Sequence, residues 1–244
     1  MTQSLNYAHR GFSGVYPENT MLAFKKAVEA GCDGIETDVQ LTRDGVAVLC
    51  HDETLDRTTT GKGLLSKYTY AELCKLDAGI KFGKKFKGEK IPTLDELLLL
   101  CKNNNILINI ELKNGIVMYD NLEKIVIDKV IEHGMLDKCI LSSFNHYSMV
   151  ACKEINANIK TGLLYTAGLY KPSMYGKYTG ADALHPYFYS VLHKEVVDDI
   201  KSAGLKINTY TVDEEVHMKA LINLGIDGII TNYPNKLASI LKNK

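Results

Sequence analysis

The stretch GIETDVQLTRDGVAVLCHD, at residues 34–52, decides the fold. It opens with an apolar run that also carries two acidic side chains, a pattern typical of a strand with one buried face. Successive side chains of a strand point to opposite faces, so Glu36 and Asp38 share one face. The stretch therefore predicts two carboxylates that converge on one point, although the wet face of an edge strand would show the same Glu-x-Asp spacing.

An Arg-Asp-Gly turn follows this strand, and residues 46–50 form a second short apolar run that ends beside a histidine. The pattern predicts a β-hairpin. A two-residue loop at Asp44 and Gly45 would set Asp38 opposite His51 across the two strands. The hairpin would then bring a carboxylate and an imidazole together.

Short apolar runs alternate with helical patterns along the rest of the chain. Further strands are predicted at residues 5–9, 106–112, 139–143, 159–164, 183–185, 205–212 and 228–231. Helical patterns lie between these strands, while residues 165–180 fit neither pattern. Eight strand–helix units are the number that a closed barrel needs, and near-continuous apolar strands are typical of a parallel sheet covered by helices.

We therefore predict the α/β class and a (β/α)8 TIM barrel that occupies residues 1–244 as a single domain. Residues 40–91 are predicted to form a small insertion after the second strand. It consists of the hairpin and a short helical segment that begins at the capping box Thr69-x-x-Glu72. An open doubly wound sheet is the alternative, but no Gly-x-Gly-x-x-Gly turn follows a strand.

The composition is that of an ordinary globular protein. Its 29 basic residues balance 29 acidic ones, so nothing favours nucleic acid or an anionic membrane surface as a partner. The amino terminus shows no signal peptide and no run long enough for stable membrane insertion, which predicts a cytoplasmic protein. The six cysteines are scattered without C-x-x-C spacing and are expected to be reduced. The oligomeric state is open, and a homodimer is one possibility.

Polar residues end several of the predicted strands. His9 ends the first strand, and Glu111 lies near the end of the third on the same face as Asn109. Active sites of barrels lie at the carboxyl ends of the strands, so His9, Glu36, Asp38 and Glu111 are expected to meet there. Three carboxylates in one small space repel one another, and a hard divalent cation with oxygen ligands would hold them ionised. A strand-end ion pair between Glu111 and the nearby lysine is the simpler alternative.

Several runs of the chain resemble the signature of the glycerophosphodiester phosphodiesterase family. They are AHRG at 8–11, PENT at 17–20, GIETDV at 34–39, HDETLDRTT at 51–59, IPTL at 91–94, IELK at 110–113, SSF at 142–144 and DGIITNYP at 227–234. These matches extend over essentially the whole chain. Many members carry a tryptophan before the Thr-Val of the seventh strand, where this chain has Tyr210, so the resemblance leaves the shape of the substrate pocket open.

The resemblance implies a barrel with an insertion after the second strand. It also implies one divalent cation, Mg²⁺ or Ca²⁺, bound by the residues that match Glu36, Asp38 and Glu111, with His9 and His51 as the acid/base pair. The implied function is metal-dependent hydrolysis of a small-molecule glycerophosphodiester to glycerol 3-phosphate and an alcohol.

The chemistry of the residues agrees with this function. A phosphodiester anion repels nucleophiles, so its hydrolysis needs charge neutralisation, a base and an acid. Arg10 and Lys113 supply positive charge beside the expected cation, and imidazole titrates near neutral pH in either proton-transfer role. Phe144 and Tyr210 lie at strand ends and are predicted to shape the substrate pocket, with simple packing as the equal alternative.

Two other classes of protein fit the same residues. A barrel with convergent acids can be a sugar-handling metal-dependent enzyme such as an isomerase. A barrel that binds phosphodiesters without turnover is the second alternative. Among the other histidines, His185 ends the sixth predicted strand and is the one placed to reach the rim.

Overall fold

The chain forms a closed barrel of parallel strands surrounded by helices. The computed structural model describes residues 3–242. Its strands, in chain order, are β1 Leu5–His9, β2 Gly34–Leu41, β3 Ala47–Leu49, β4 Leu107–Leu112, β5 Cys139–Ser143, β6 Lys160–Tyr165, β7 Ala183–Pro186, β8 Lys206–Thr209 and β9 Gly228–Thr231. Its α-helices are α1 Met21–Glu29, α2 Tyr70–Leu73, α3 Leu94–Asn104, α4 Leu122–Glu132, α5 His146–Ile155, α6 Pro172–Tyr178, α7 Lys194–Ser202, α8 Glu215–Leu224 and α9 Pro234–Lys242.

The barrel closes where β1 pairs with both β2 and β9. The remaining order is β2, β4, β5, β6, β7, β8, β9, with parallel pairing throughout, and β3 pairs antiparallel to β2 outside this ring. The predicted (β/α)8 barrel is thereby confirmed. The boundaries 40 and 91 of the insertion stay a prediction.

Strand register places the polar strand ends side by side. His9 of β1 is the register partner of Glu36 on β2. Asp38 of β2 is the register partner of Glu111 on β4. These pairings place four predicted site residues at two adjacent levels, near the carboxyl ends of three neighbouring strands.

Apolar contacts between the sheet and the outer helices form the main core. Helices α1 and α3 begin at capping residues: Thr20 accepts a hydrogen bond from the amide of Ala23, and Thr93 forms a full capping box with Glu96. Each helix then turns its apolar side toward the sheet. A second, smaller core lies under the segment between β2 and α3, and consists of Val48, Cys50, Leu55, Leu65, Leu73, Ala78 and Ile91.

The predicted hairpin register is wrong by one residue. Leu41 pairs with Ala47, and the amide of Thr42 donates to the carbonyl of Val46 at 3.0 Å, so the loop has three residues. The Thr42 hydroxyl donates to Asp44 and accepts from the amide of Val46, and Gly45 has the left-handed φ of +78° that a three-residue loop requires. Asp38 consequently lies opposite Cys50, and His51 falls just beyond the paired strand.

Two helices were not predicted, and β8 is four residues shorter than the predicted strand 205–212. Helix α6 begins at Pro172 after a left-handed Lys171, in a tyrosine- and glycine-rich segment whose apolar residues show no helical period. Helix α9 follows the last strand and packs against β1. Strand β8 ends at Thr209, because Tyr210 makes only an isolated bridge to Tyr187.

His185 lies inside the barrel and not at the rim. Its side chain is fully buried, and its Nε2 accepts a hydrogen bond from the amide nitrogen of Asn208 at 3.0 Å. Gly162 makes room for the ring, since a Cβ at that position would lie 2.4 Å from it. Burial lowers the pKa of His185 to about 3, so the imidazole is neutral near neutral pH.

None of the helices within residues 3–242 is long and apolar enough to cross a membrane.

Candidate active site

Three carboxylates converge at the carboxyl end of the barrel. Glu36 and Asp38 point inward from β2, and Glu111 points inward from β4. One oxygen from each lies within 4.8 Å of the others, and all three side chains are buried. The alternation of side chains along β2 and the register of β2 with β4 produce this acid triad.

Mutual repulsion and burial divide the triad into two kinds of carboxyl group. Burial, followed by the charges of Asp38 and Glu111, raises the pKa of Glu36 well above its usual range. Burial and the charge of Asp38 likewise raise the pKa of Glu111 to about 7. Burial also acts to raise the pKa of Asp38, but the cations around it, Arg10 first, lower it to about 2. Asp38 is therefore the permanent anion of the triad.

The triad has the properties of a site for a hard cation. Asp38 Oδ1 is buried and accepts no hydrogen bond from any residue in the described range 3–242. Its other oxygen, Oδ2, accepts a hydrogen bond from Asn19 at 2.9 Å, which leaves Oδ1 as the oxygen without a hydrogen-bond donor among the described residues. An all-oxygen donor set with an unsatisfied buried lone pair suits Mg²⁺ or Ca²⁺ and does not distinguish between them. The triad can therefore hold a metal.

Two cationic side chains flank the triad. Arg10 Nε lies 3.3 Å from Asp38 Oδ2, and Lys113 Nζ donates to Glu111 at 2.9 Å while remaining 4.0 Å from Asp38 Oδ1. Arg10 adopts a left-handed φ of +54°, a strained conformation for a residue with a side chain. In this conformation its amide donates to both the carbonyl and the carboxylate of Glu36.

His9 is held by an amide. Its Nε2 lies 3.9 Å from Glu36, and its Nδ1 lies 2.7 Å from Asn232 Oδ1. The amide nitrogen of Asn232 donates to Asp213 at 2.7 Å. A carboxylate only accepts, so Asn232 must turn its oxygen to His9, and the His9 proton lies on Nδ1. Burial and the charge of Arg10 lower the pKa of His9 to about 4, which leaves a neutral ring with a lone pair on Nε2.

His51 is held by a carboxylate. Its Nδ1 lies 2.7 Å from Asp52 Oδ1. Arg57 donates two hydrogen bonds to Asp52 and two to Glu18, and Glu18 also accepts from Arg10. The hydrogen bonds from Arg57 lower the pKa of Asp52, which is therefore ionised beside the imidazole. A chain of alternating charges thus connects His51 to Arg10.

Phe144 and Tyr210 pack together at the mouth of the barrel. Their ring centroids are 6.0 Å apart with the planes at 90°, and the Tyr210 hydroxyl donates to the carbonyl of Tyr165. Phe144 also lines a cavity of about 590 Å³ that reaches down to Glu111 and Lys113. The structure thus brings all nine residues predicted for the site to one end of the barrel.

Sequence reasoning missed the groups that hold the histidines. Asp52 and Asn232 fall within runs that resemble the family signature, which was their one signal in the sequence. Asn232 is 223 residues from His9, and Arg57 is 39 residues from Glu18. No local pattern predicts such pairs.

Comparison with known proteins agrees over almost the full length of the chain. Residues 9–236 match the model of the glycerophosphoryl diester phosphodiesterase family. A glycerophosphodiester phosphodiesterase of Caldanaerobacter subterraneus subsp. tengcongensis is 46% identical over 240 residues, covering 98% of either chain. A glycerophosphodiester phosphodiesterase of Bacillus altitudinis is 40% identical, covering 96% of either chain.

A solved structure gives the same result. The phosphodiesterase of Oleispira antarctica, in complex with the product sn-glycerol-3-phosphate, superposes with a TM-score of 0.87 at 32% identity. The superposition covers 99% of this chain and 98% of that one. This chain therefore belongs to the glycerophosphoryl diester phosphodiesterase family.

Proposed function

We propose that this protein hydrolyses glycerophosphodiesters to glycerol 3-phosphate and an alcohol, using a divalent cation held by Glu36, Asp38 and Glu111. The observation that carries the proposal is the buried acid triad with an unsatisfied oxygen on Asp38, flanked by two cations and close to His9. The product bound to the relative from Oleispira antarctica supports the same substrate class.

The residues of this chain divide the reaction between them. Arg10 and Lys113 lie where they would neutralise the phosphoryl oxygens and orient the substrate. A cation in the triad would add Lewis-acid polarisation of the phosphoryl group. Of His9 and His51, one removes a proton from the attacking oxygen as the new P–O bond forms. The other gives a proton to the leaving oxygen as the old P–O bond breaks.

The aromatic pair Phe144 and Tyr210 would form a wall of the substrate pocket. Their positions beside the cavity that ends at Glu111 and Lys113 support this role. A cytoplasmic location and a homodimer stay predictions.

The first prediction tests the metal. Release of glycerol 3-phosphate from glycerophosphocholine should stop in excess chelator and return with Mg²⁺ or Ca²⁺. Glu111→Gln removes one ligand charge. The affinity of the site for the cation should therefore fall by more than the roughly 10–100-fold that is typical when an outer-shell partner of a metal ligand is replaced. Metal titration of activity, together with calorimetric binding of the cation, measures both effects.

The exposed Glu132 on α4 offers a matched control, because Glu132→Gln makes the same charge change far from the triad. Full activity of Glu111→Gln after exhaustive chelation would overturn the metal proposal. Turnover of free sugars in place of phosphodiesters would favour the sugar-handling alternative.

A further inference from the structure

The carboxylate of Glu53 lies half-buried in the active-site cavity without an ionic partner. It lines the cavity of about 590 Å³ together with Glu111 and Lys113. Within residues 3–242, no lysine, arginine or histidine nitrogen forms an ion pair with it. Lys113 acts on Glu53 only through space, since its hydrogen bond goes to Glu111 at 2.9 Å. A partly desolvated carboxylate in this state is suited to a cationic ligand.

The other side of the same cavity is apolar and open to solvent. Ile116 is 77% exposed, Met118 is 72% exposed and Phe144 is 49% exposed, and all three line the cavity. Exposed apolar side chains gathered at one cleft mark a binding surface. The Phe144 ring packs perpendicular to the Tyr210 ring, and this contact helps to orient it.

An anion, an aromatic ring and methyl-bearing walls together have the chemistry that recognises an ammonium group. The ring face attracts the cation, the carboxylate balances its charge, and Ile116 and Met118 would contact its carbon atoms. A neutral polyol would gain little from these groups. An anionic group would be repelled by Glu53.

Building on the function proposed above, we propose that this cavity binds the alcohol half of the substrate and selects alcohols that carry a cationic nitrogen, such as choline or ethanolamine. The phosphate would lie at the inner end of the cavity, beside Lys113 and the acid triad. The ammonium group would reach outward to Glu53 and Phe144. Glu53 thus becomes a specificity-determining residue supplied by the segment that follows His51.

The test compares two substrates that differ in the charge of the alcohol. Release of glycerol 3-phosphate is measured with glycerophosphocholine and with glycerophosphoglycerol, for the wild type and for Glu53→Gln. The wild type should prefer the choline ester. In Glu53→Gln the ratio of the two kcat/KM values should fall about 10-fold, mostly through KM for the choline ester. Phe144→Leu should lower the same ratio.

Choline chloride provides a readout that does not depend on turnover. Titration calorimetry should show choline binding to the wild type and much weaker binding to Glu53→Gln, at equal ionic strength. Glu89→Gln is the matched control: Glu89 is also half-buried, lies in the same segment between β2 and α3, and does not line the cavity. It should leave both the substrate ratio and choline binding unchanged.

The outcomes separate the subsite from the proposed function. An equal loss on both substrates in Glu53→Gln would overturn the subsite, because Glu53 would then act on the metal centre. Unchanged ratios in Glu53→Gln would overturn it as well. If the wild type released no glycerol 3-phosphate from any ester, the proposed function would fail, while Glu53-dependent choline binding would still support the subsite.

Discussion

At the scale of single residues, the two histidines differ in the group that holds them. His9 donates from Nδ1 to the neutral amide of Asn232, and His51 contacts the ionised carboxylate of Asp52. In both histidines Nδ1 makes this contact, so Nε2 is the ring nitrogen that the contact leaves free. Two separate mechanisms thus orient the two candidates for proton transfer.

Replacing either histidine should affect turnover far more than metal binding. His9→Ala and His51→Ala should each lower kcat by about 10² to 10⁴, because each removes one proton-transfer group. The double variant should lose much less than the product of the single losses. Steady-state kinetics with calorimetric metal titration provides the measurement. Loss of metal binding in His51→Ala would show instead that this histidine is a ligand.

Asn232 should act through His9. Asn232→Ala removes the acceptor that keeps the His9 proton on Nδ1, so kcat should fall by about 10–100-fold with a smaller change in KM, as for other residues that orient a functional histidine. Asp213→Asn removes the acceptor that fixes the side-chain amide of Asn232, so that this amide can flip. This variant should show a smaller loss of kcat than Asn232→Ala. Asn235→Ala, at an exposed position of α9, serves as the control. A KM effect without a kcat effect would contradict this role.

At the scale of elements, a Gly-x-Asp sequence repeats at three junctions between a helix and the next strand, residues 31–33, 180–182 and 225–227. Each glycine has a left-handed φ, between +69° and +79°, and lies just beyond a helix end. Each aspartate exchanges hydrogen bonds with a residue at the start of a neighbouring strand, namely Asn6, Thr161 and Ile207. The aspartate carbonyls accept from Leu107, Lys206 and Leu5 of further strands. The same short motif therefore joins three strands at three places around the base of the barrel.

Asp33 allows the cleanest test of this motif, because no ion pair with any residue of the range 3–242 accompanies its hydrogen bond to the amide of Asn6 at 2.8 Å. Asp33→Ala leaves that amide without an acceptor and should lower the free energy of unfolding by about 1 kcal/mol. Asp33→Asn retains an acceptor oxygen and should recover most of the loss. Denaturant unfolding measures both, and equal stability of the wild type and Asp33→Ala would argue against the motif.

At the scale of the whole molecule, the site is assembled from the barrel and from the segment between β2 and α3. That segment has its own small core and contacts the barrel mouth through the ion pair of Arg57 with Glu18. It contributes His51 and Glu53, while the barrel contributes the acid triad. The packing of this segment on the barrel therefore decides the geometry of the candidate site.

The acid triad should make stability depend on pH in the metal-free protein. The pKa of Glu111 is raised from 4.5 to about 7, so the stability of its protonated form is fully present below pH 4.5 and is lost as pH rises toward 7. In chelator, Glu111→Gln should therefore be more stable than the wild type near pH 8, by on the order of 2–3 kcal/mol. The gain should vanish near pH 4.5, where the wild-type carboxyl is protonated.

Denaturant unfolding of both proteins across this pH range measures the difference, which includes the easier ionisation of Glu36 once the charge of Glu111 is removed. At high pH, a saturating divalent cation should make the wild type more stable than Glu111→Gln, because the cation binds to and stabilises the folded wild type. If the stability gain of Glu111→Gln stayed constant with pH, the raised pKa of Glu111 could not be its cause.

The sequence by itself determined the features that depend on neighbouring residues. Alternation along Gly34–Leu41 placed Glu36 and Asp38 on one face, because the two-residue period is a property of the extended backbone. The capping box at Thr69 began a helix where it was predicted, because its hydrogen bonds lie within one turn. Eight such strand–helix units were sufficient to predict the barrel.

Only the tertiary structure decided the features that depend on distant partners. The three-residue hairpin loop is held by a distant segment, because the amide of Arg43 donates to the carbonyl of Tyr68 and Asp44 accepts from the amide of Tyr70. The hydrogen bond between His9 and Asn232 formed because barrel closure brings β1 beside β9. Glu53 entered the active-site cavity because the segment after His51 packs on the barrel. The sequence pattern within a strand determines the face to which a side chain points. Barrel closure and tertiary packing determine which distant group that side chain contacts.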